Sequence, residues 1–228
     1  MAHRRKIPPP STGYIVMLMA VLLLSAAGVF NPEQSKPTSL ESAAGEGSLL
    51  EAVRKARAGD KEAFNSLYRW YYPQIYRHLY RMVGNPEDAS ELAAEAFLKA
   101  WCGLPGLHDE LRFRSWLFSI ATHKALDFFR QRRDHQSSWD SLGEDLTDQK
   151  AEALERRVEQ DELIGLALKQ VAPKPLACLL LQLEGFSHAE IARLVGLGPK
   201  SVGTYVSMAR EQFRQAYHQL TFGDNPDR

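Results

Sequence analysis

A chain of 228 residues with 28 Lys and Arg against 28 Asp and Glu has no formal net charge, so the overall balance announces no nucleic-acid or membrane partner. Cys102 and Cys178 are its only cysteines, which excludes a disulfide framework, and the 7 histidines are scattered without metal-ligand spacing. There is no Gly-rich phosphate loop, no GxSxG and almost no period-two alternation, so no nucleophile, metal set or cofactor loop can be assembled and the expected class is an all-α non-enzyme.

Residues 1–47 do not read as part of a globular core. His3, Arg4, Arg5 and Lys6 make a basic start and Pro8, Pro9 and Pro10 follow. Residues 14–30 are then uncharged and mostly apolar, at the short end for a spanning helix. Three readings stay open: a membrane anchor, a secretory signal, or an extension from an upstream start codon. Residues 31–47 are rich in Ser, Pro, Gly and Glu and read as linker.

Residues 48–58 predict a short amphipathic helix with Leu49, Leu50 and Val53 on one side. Asp60 caps a second helix that runs to about Val83, where Gly84 is a natural stop. Phe64, Leu67, Tyr71, Ile75, Leu79 and Met82 form its apolar stripe, and Pro73 is a candidate kink. Asn85, Pro86, Glu87 and Asp88 then give a capping side chain, a proline at the first position and two acids in the first turn. Along that third helix Ala89, Leu92, Ala93, Ala96, Phe97 and Ala100 form the inner face, while Asp88, Glu91 and Glu95 step along another. Those acids suit either plain solvation or the docking of a basic partner.

Pro105 and Gly106 predict a loop over 104–111. Residues 113–133, FRSWLFSIATHKALDFFRQRR, follow as a helix with Leu117, Ile120, Ala121, Ala125 and Phe128 on an apolar face. His123, Asp127 and Arg130 lie on a second face, Lys124 is beside them, and Trp116, Phe118 and Phe129 add more rings than one seam needs. Cations and flat rings on one helix suit phosphates and unstacked bases. Residues 134–148 are acidic and poor in apolar side chains, a flexible linker at which the chain divides.

Residues 149–171 predict a helix that Pro173 and Pro175 end, and residues 176–183 a compact apolar helix closed by Gly185. Ser187 and Glu190 form a capping box. Ala192, then Gly196 four residues on, then Val202 six further, follow the helix-turn-helix pattern: a small residue for close crossing, a glycine for a left-handed turn and a buried anchor. The second helix of such a pair lies in the major groove. Its outward candidates are Lys200, Ser201, Thr204, Tyr205 and Ser207, with Arg210 and Arg214 for phosphates. So few cations make a weakly basic reading head that binds DNA poorly by itself.

Both halves together resemble an ECF (extracytoplasmic function) sigma factor of bacterial RNA polymerase. GDKEAFNSLYRWYYPQIYRHLYRMVGNPEDASELAAEAFLKAW and FRSWLFSIATHKALDFFRQRR are similar to the family's region 2, and LEGFSHAEIARLVGLGPKSVGTYVSMAREQFR is similar to region 4, in the family's order. The resemblance implies two all-α domains: region 2 over 48–133, an acidic linker over 134–149 and region 4 over 150–220, flanked by the extension 1–47 and a tail 221–228. It implies docking on the polymerase core through Asp88, Glu91, Leu92, Glu95 and Phe97. It implies capture of the non-template strand of the minus-ten promoter element by Arg112, Arg114, Trp116, His123, Lys124, Asp127 and Arg130, and duplex reading of the minus-thirty-five element by region 4. An anti-sigma factor is a further partner the family implies, and no cofactor is. The location implied is cytoplasmic, with membrane association through residues 14–30 left open. The alternatives are a helix-turn-helix operator-binding regulator and a membrane-tethered sigma-like interaction protein. The chain departs from the family's usual Asp at Glu91, Gln at Ala94 and Asn at His123, and from its usual basic residues at Gly203, Tyr205 and Met208.

Overall fold

The helix boundaries follow from side chains placed just outside them. The computed structural model describes residues 43–136 and 163–222, so the apolar run 14–30, most of the acidic linker and the end of the tail lie outside the described residues. Helix α1 spans Ala43–Arg57, starting before the expected residue 48. Asp60 accepts from the backbone of Glu62 at 2.9 Å and Ala63 at 3.1 Å, which satisfies two orphan donors and starts α2, Lys61–Val83. Pro73 lies within α2 without ending it, and Gly84 closes it in the left-handed region at φ 72°. Asn85 accepts from Glu87 at 2.8 Å and Asp88 at 3.0 Å and starts α3, Pro86–Gly103.

The expected loop is instead two 3₁₀ turns, Leu104–Gly106 and Glu110–Arg112. They deliver the chain into α4, Phe113–Gln136. Residues 163–169 are helical. The next helix, α5, spans Pro173–Leu183 and begins three residues earlier than expected. Pro173 and Pro175 sit inside its first turn, where an N–H has no intrahelical partner to lose, so they open this helix as well as closing the one before. Helices α6, His188–Val195, and α7, Pro199–Phe222, complete the described chain. Among the described residues all regular structure is helical.

Leu49–Arg228 forms one compact unit. Within it, α2, α3 and α4 enclose one core. Phe64, Leu67, Ile75 and Leu79 of α2 meet Ala89, Ala93, Ala96 and Ala100 of α3, all at most 1% exposed. The alanine seam lets the helices approach closely, and Phe97 fills the remaining space edge-on to Phe64 at 6.5 Å. Leu117, Ala121 and Ala125 of α4 close that core. A second core lies between α5, α6 and α7, built from Leu176, Leu181, Ile191, Val195, Val202 and Val206. The two cores meet where α4 packs on α6 and the end of α5.

Candidate nucleic-acid interface and docking cleft

Helices α3 and α4 run side by side, and their outer edges form a cleft. Asp88, Glu91, Leu92 and Glu95 line it from α3, and Lys124, Asp127, Phe128 and Gln131 from α4. Four carboxylates thus face one ammonium, so the cleft has a negative field that favours a cationic partner. Lys124 reaches Glu95 at 2.5 Å, and Arg132 extends toward Asp88 at 3.9 Å from the rim. Glu91 is exposed and the Glu95 side chain keeps 45% of its surface. Ion pairs this exposed are worth little and are readily exchanged for a partner's cations.

Four of the five residues expected to dock a partner therefore share one surface. Phe97 does not: it is 1% exposed and packs against Phe64, Tyr68 and Tyr72 of α2. A partner cannot touch it, and its contribution is to hold α3 at its distance from α2.

The seven residues expected to meet a single strand are spread around α4. Trp116, His123, Asp127 and Arg130 recur at steps that place them on one stripe. Trp116 is half-buried beside Phe113 at 6.1 Å, with its ring edge closing on Gly103, where a side chain would find only 3.0 Å of clearance. His123 is exposed, its Nδ1 2.8 Å from the Ser119 carbonyl. Arg130 pairs with Asp127 at 3.1 Å, and Arg112, at the head of the helix, with Asp109 at 3.1 Å. Lys124 and Asp127 border the acidic cleft. Arg114 lies elsewhere: its guanidinium sits over the rings of Phe118 at 5.2 Å and Phe186 at 4.4 Å and donates to the Glu184 carbonyl at 2.7 Å.

Ser119 escaped the sequence reading. It falls three residues after Trp116 and four before His123, a spacing that puts it on the same stripe. Its hydroxyl donates to the Leu194 carbonyl of α6 at 3.3 Å. The signal was available, but a serine inside a helix carries no chemistry to draw attention to it.

The helix-turn-helix takes its shape from the residues that predict it. Ser187 accepts from the Glu190 backbone at 3.3 Å, while the Glu190 carboxylate accepts from the Ser187 hydroxyl at 2.7 Å and the Ser187 backbone at 2.9 Å, and these last two bonds, the hydroxyl first, hold that carboxyl below the usual range. Gly196 turns the chain at φ 70°, the Leu197 N–H bonds the Ala192 carbonyl at 2.8 Å, and Val202 is fully buried. Lys200, Thr204, Ser207, Arg210 and Arg214 are exposed on α7, and Ser201 and Tyr205 are half-buried. Arg214 is held by Glu211 at 2.7 Å and 3.2 Å, and Arg210 by Gln182 at 2.9 Å. Met208, 44% exposed, adds an apolar side chain among them.

Residues 67–135 match the family described as Sigma-70 region 2, and residues 161–213 match Sigma-70, region 4. The chain is 30% identical over 159 residues to the RNA polymerase sigma factor YlaC of Bacillus subtilis, covering 68% of this chain and 92% of that one. It is 25% identical over 183 residues to the ECF RNA polymerase sigma factor SigW of Bacillus subtilis, covering 75% and 98%. Among solved structures, the sigma factor RpoE in complex with the anti-sigma factor NepR, from Bartonella quintana, shares the fold at a TM-score of 0.55 and 20% identity, over 67% of this chain and 95% of that one.

Proposed function

The chain belongs to the ECF sigma factors of bacterial RNA polymerase, and on that premise we propose which surface performs each step of promoter-specific initiation. The acidic cleft of Asp88, Glu91, Leu92 and Glu95 receives a basic helical element of the polymerase core. The α4 stripe of Trp116, His123 and Arg130, with Arg112 and Arg114 near its head, receives an unpaired strand of the minus-ten element: the ring stacks on a base and the cations follow the backbone. Helix α7 reads the minus-thirty-five element as duplex through Lys200, Ser201, Thr204, Tyr205 and Ser207, with Arg210 and Arg214 toward phosphates. The chain supplies recognition and no catalysis of its own. It acts where polymerase acts, in the cytoplasm, and an anti-sigma factor is the partner class that would hold it in reserve.

The observation that carries this reading is the pairing, on one helix couple, of a carboxylate-lined cleft with a ring-and-cation stripe, followed by a helix-turn-helix. A regulator that only bound an operator would need the last of these alone.

The test adds the purified full chain to bacterial core polymerase with a library of genomic fragments. Promoter-dependent transcripts are the expected result, and Glu91→Lys with Glu95→Lys abolishes co-purification with the core. Trp116→Ala slows strand opening about five- to a hundredfold, since base stacking on a ring is worth about 1–3 kcal/mol, and leaves core binding intact. Failure to form a complex or to open any promoter removes the reading. Equal loss of opening and core binding in Trp116→Ala assigns that ring to the core.

A further inference from the structure

Side chains from α5, α6 and α7 meet on one side of the helix-turn-helix. Arg210 of α7 donates from Nη2 to Gln182 Oε1 of α5 at 2.9 Å, and Gln182 Nε2 lies 3.1 Å from Nε2 of His188, the first residue of α6. A guanidinium can only donate, so the amide oxygen faces Arg210 and the amide nitrogen faces the ring. The ring nitrogen that meets it must accept, which leaves the proton of neutral His188 on Nδ1. The same ring lies over α7. Gly203 carries no side chain, and a Cβ placed there would stand 3.9 Å from His188 Cε1. Lys200, Gly203, Ser207 and Arg210 follow at steps of three and four, which makes them one stripe on α7. Lys200 and Arg210 are about 15 Å apart along that stripe, and the imidazole stands between them.

Protonation changes what the amide can do. Once both ring nitrogens carry hydrogen, Nε2 is a donor facing a donor. The amide can turn its oxygen to the imidazolium, but its nitrogen then faces Arg210 and the guanidinium is released. The charged groups near the ring do not hold it in either state. Arg210 faces it through Gln182, and exposed Lys200 lies one turn before Gly203. On α6 the Glu190 carboxylate is turned back onto Ser187 at 2.7 Å and 2.9 Å, and Arg193 is exposed. Beyond α5 the Glu184 carboxylate points toward Arg114 at 3.9 Å. The amino end of α6 adds partial positive charge. The ring therefore takes up its proton most readily when an anion lies against it.

We propose that His188 is a further duplex-contacting residue, taking the place of a side chain at 203 between Lys200 and Arg210, and that Gln182 is a positioning residue whose amide oxygen holds either His188 or Arg210 at one time. The grip on a phosphate backbone is thereby coupled to a proton. Binding the backbone favours the charged ring, and the charged ring frees Arg210 for a neighbouring phosphate. The proposal rests on the reading of α7 as the duplex-binding helix.

The experiment measures the full chain on a fluorescein-labelled duplex of mixed sequence, across a salt series, at about pH 7.5 and about pH 5.5, the range over which histidine changes charge. The parent is expected to bind about tenfold tighter at the lower pH, with a salt slope steeper by about 1, the increment of one more neutralised phosphate. His188→Gln, polar but uncharged, loses both changes, and His188→Arg shows the tighter, steeper binding at both pH values. Gln182→Met, which frees Arg210 without adding charge, binds tighter than the parent at the upper pH and still steepens on acidification. Other titrating groups contribute alike in parent and His188→Gln, so the difference between the two reports the ring. Heteronuclear NMR of the free chain follows the Arg210 Nε–H signal, identified by its loss in Arg210→Lys. That signal shifts with pH in the parent and not in His188→Gln. An Arg210 signal indifferent to pH in the parent overturns the exchange through Gln182. Equal pH dependence of duplex binding in parent and His188→Gln overturns the ring as a charged contact. Absence of duplex binding at either pH removes the reading of α7 instead, while the free-chain spectra still decide the exchange.

Discussion

His78 shows how a single side chain couples the fold to pH. It is 1% exposed on α2, with Nε2 3.0 Å from the Thr122 hydroxyl of α4 and Nδ1 without a hydrogen-bond partner. Burial, and secondarily the charge of Arg81, holds its pKa down to about 3 from an ordinary 6.5. The folded protein therefore keeps a neutral imidazole while the unfolded chain takes up a proton below about pH 6.5. The sign follows: the unfolded state binds more protons as pH falls from 6.5 toward 3, so stability falls across that window and is undiminished above it. Urea unfolding should show a loss of about 2 kcal/mol between pH 7 and pH 5 from this group, over and above the carboxylate contribution. His78→Met, which fills the site without titrating, should lack that increment. Equal pH slopes in parent and variant would mean that water reaches the ring in the native state. Its place on the buried face follows from helical period, three residues after Ile75 and four before Met82, but the bond to Thr122, 44 residues away in sequence, is not legible there.

At the scale of elements, the boundaries written in capping side chains were the ones most directly legible. Asp60, Asn85 and Ser187 each accept backbone N–H groups at the start of the helix they predict, because a cap is a local bond needing no tertiary partner. Prolines were ambiguous, since the same ring that stops one helix suits the first turn of the next, and Pro173 does the latter. Which face of α4 is outward was only partly legible. The stripe of Trp116, His123 and Arg130 follows from helical period alone, but the removal of Arg114 to an interdomain contact depends on Phe186, 72 residues away in sequence and adjacent in the fold. The turn between α6 and α7 gives the cleanest test of an element. Gly196 sits at φ 70°, and a Cβ added there would meet nothing within 4 Å. Gly196→Ala therefore probes the backbone conformation alone and should cost about 1 kcal/mol, with Gly196→Asn costing less because its side chain tolerates the left-handed region. Denaturant titration resolves that difference. An alanine variant as stable as the parent would show that the turn does not require the left-handed conformation and that α7 owes its angle to Val202 and the core.

At the scale of the whole molecule, zero net charge conceals an uneven placement: acids on the cleft between α3 and α4 and a thin scatter of cations on α7. Counterion release makes that thinness measurable, because log affinity for duplex falls with log salt by about 0.9 for each phosphate neutralised. Lys200, Arg210 and Arg214 set a ceiling near a slope of about −2.7 for the free chain on duplex DNA. Arg214 is already held by Glu211 through two nitrogens, and the same bonds pull the Glu211 carboxyl below its usual range. The parent slope should then lie nearer about −2, and Glu211→Gln, which releases Arg214, should steepen it by about 1 and tighten binding at low salt. Anisotropy titrations of a labelled duplex across a salt series give both slopes. A parent slope as steep as about −6 would reveal a phosphate-contacting surface beyond α7 and would break the assignment of duplex binding to that helix alone. A shallow slope makes polymerase the source of most promoter affinity, so the sequence preference of α7 is expressed only once the enzyme holds it beside DNA.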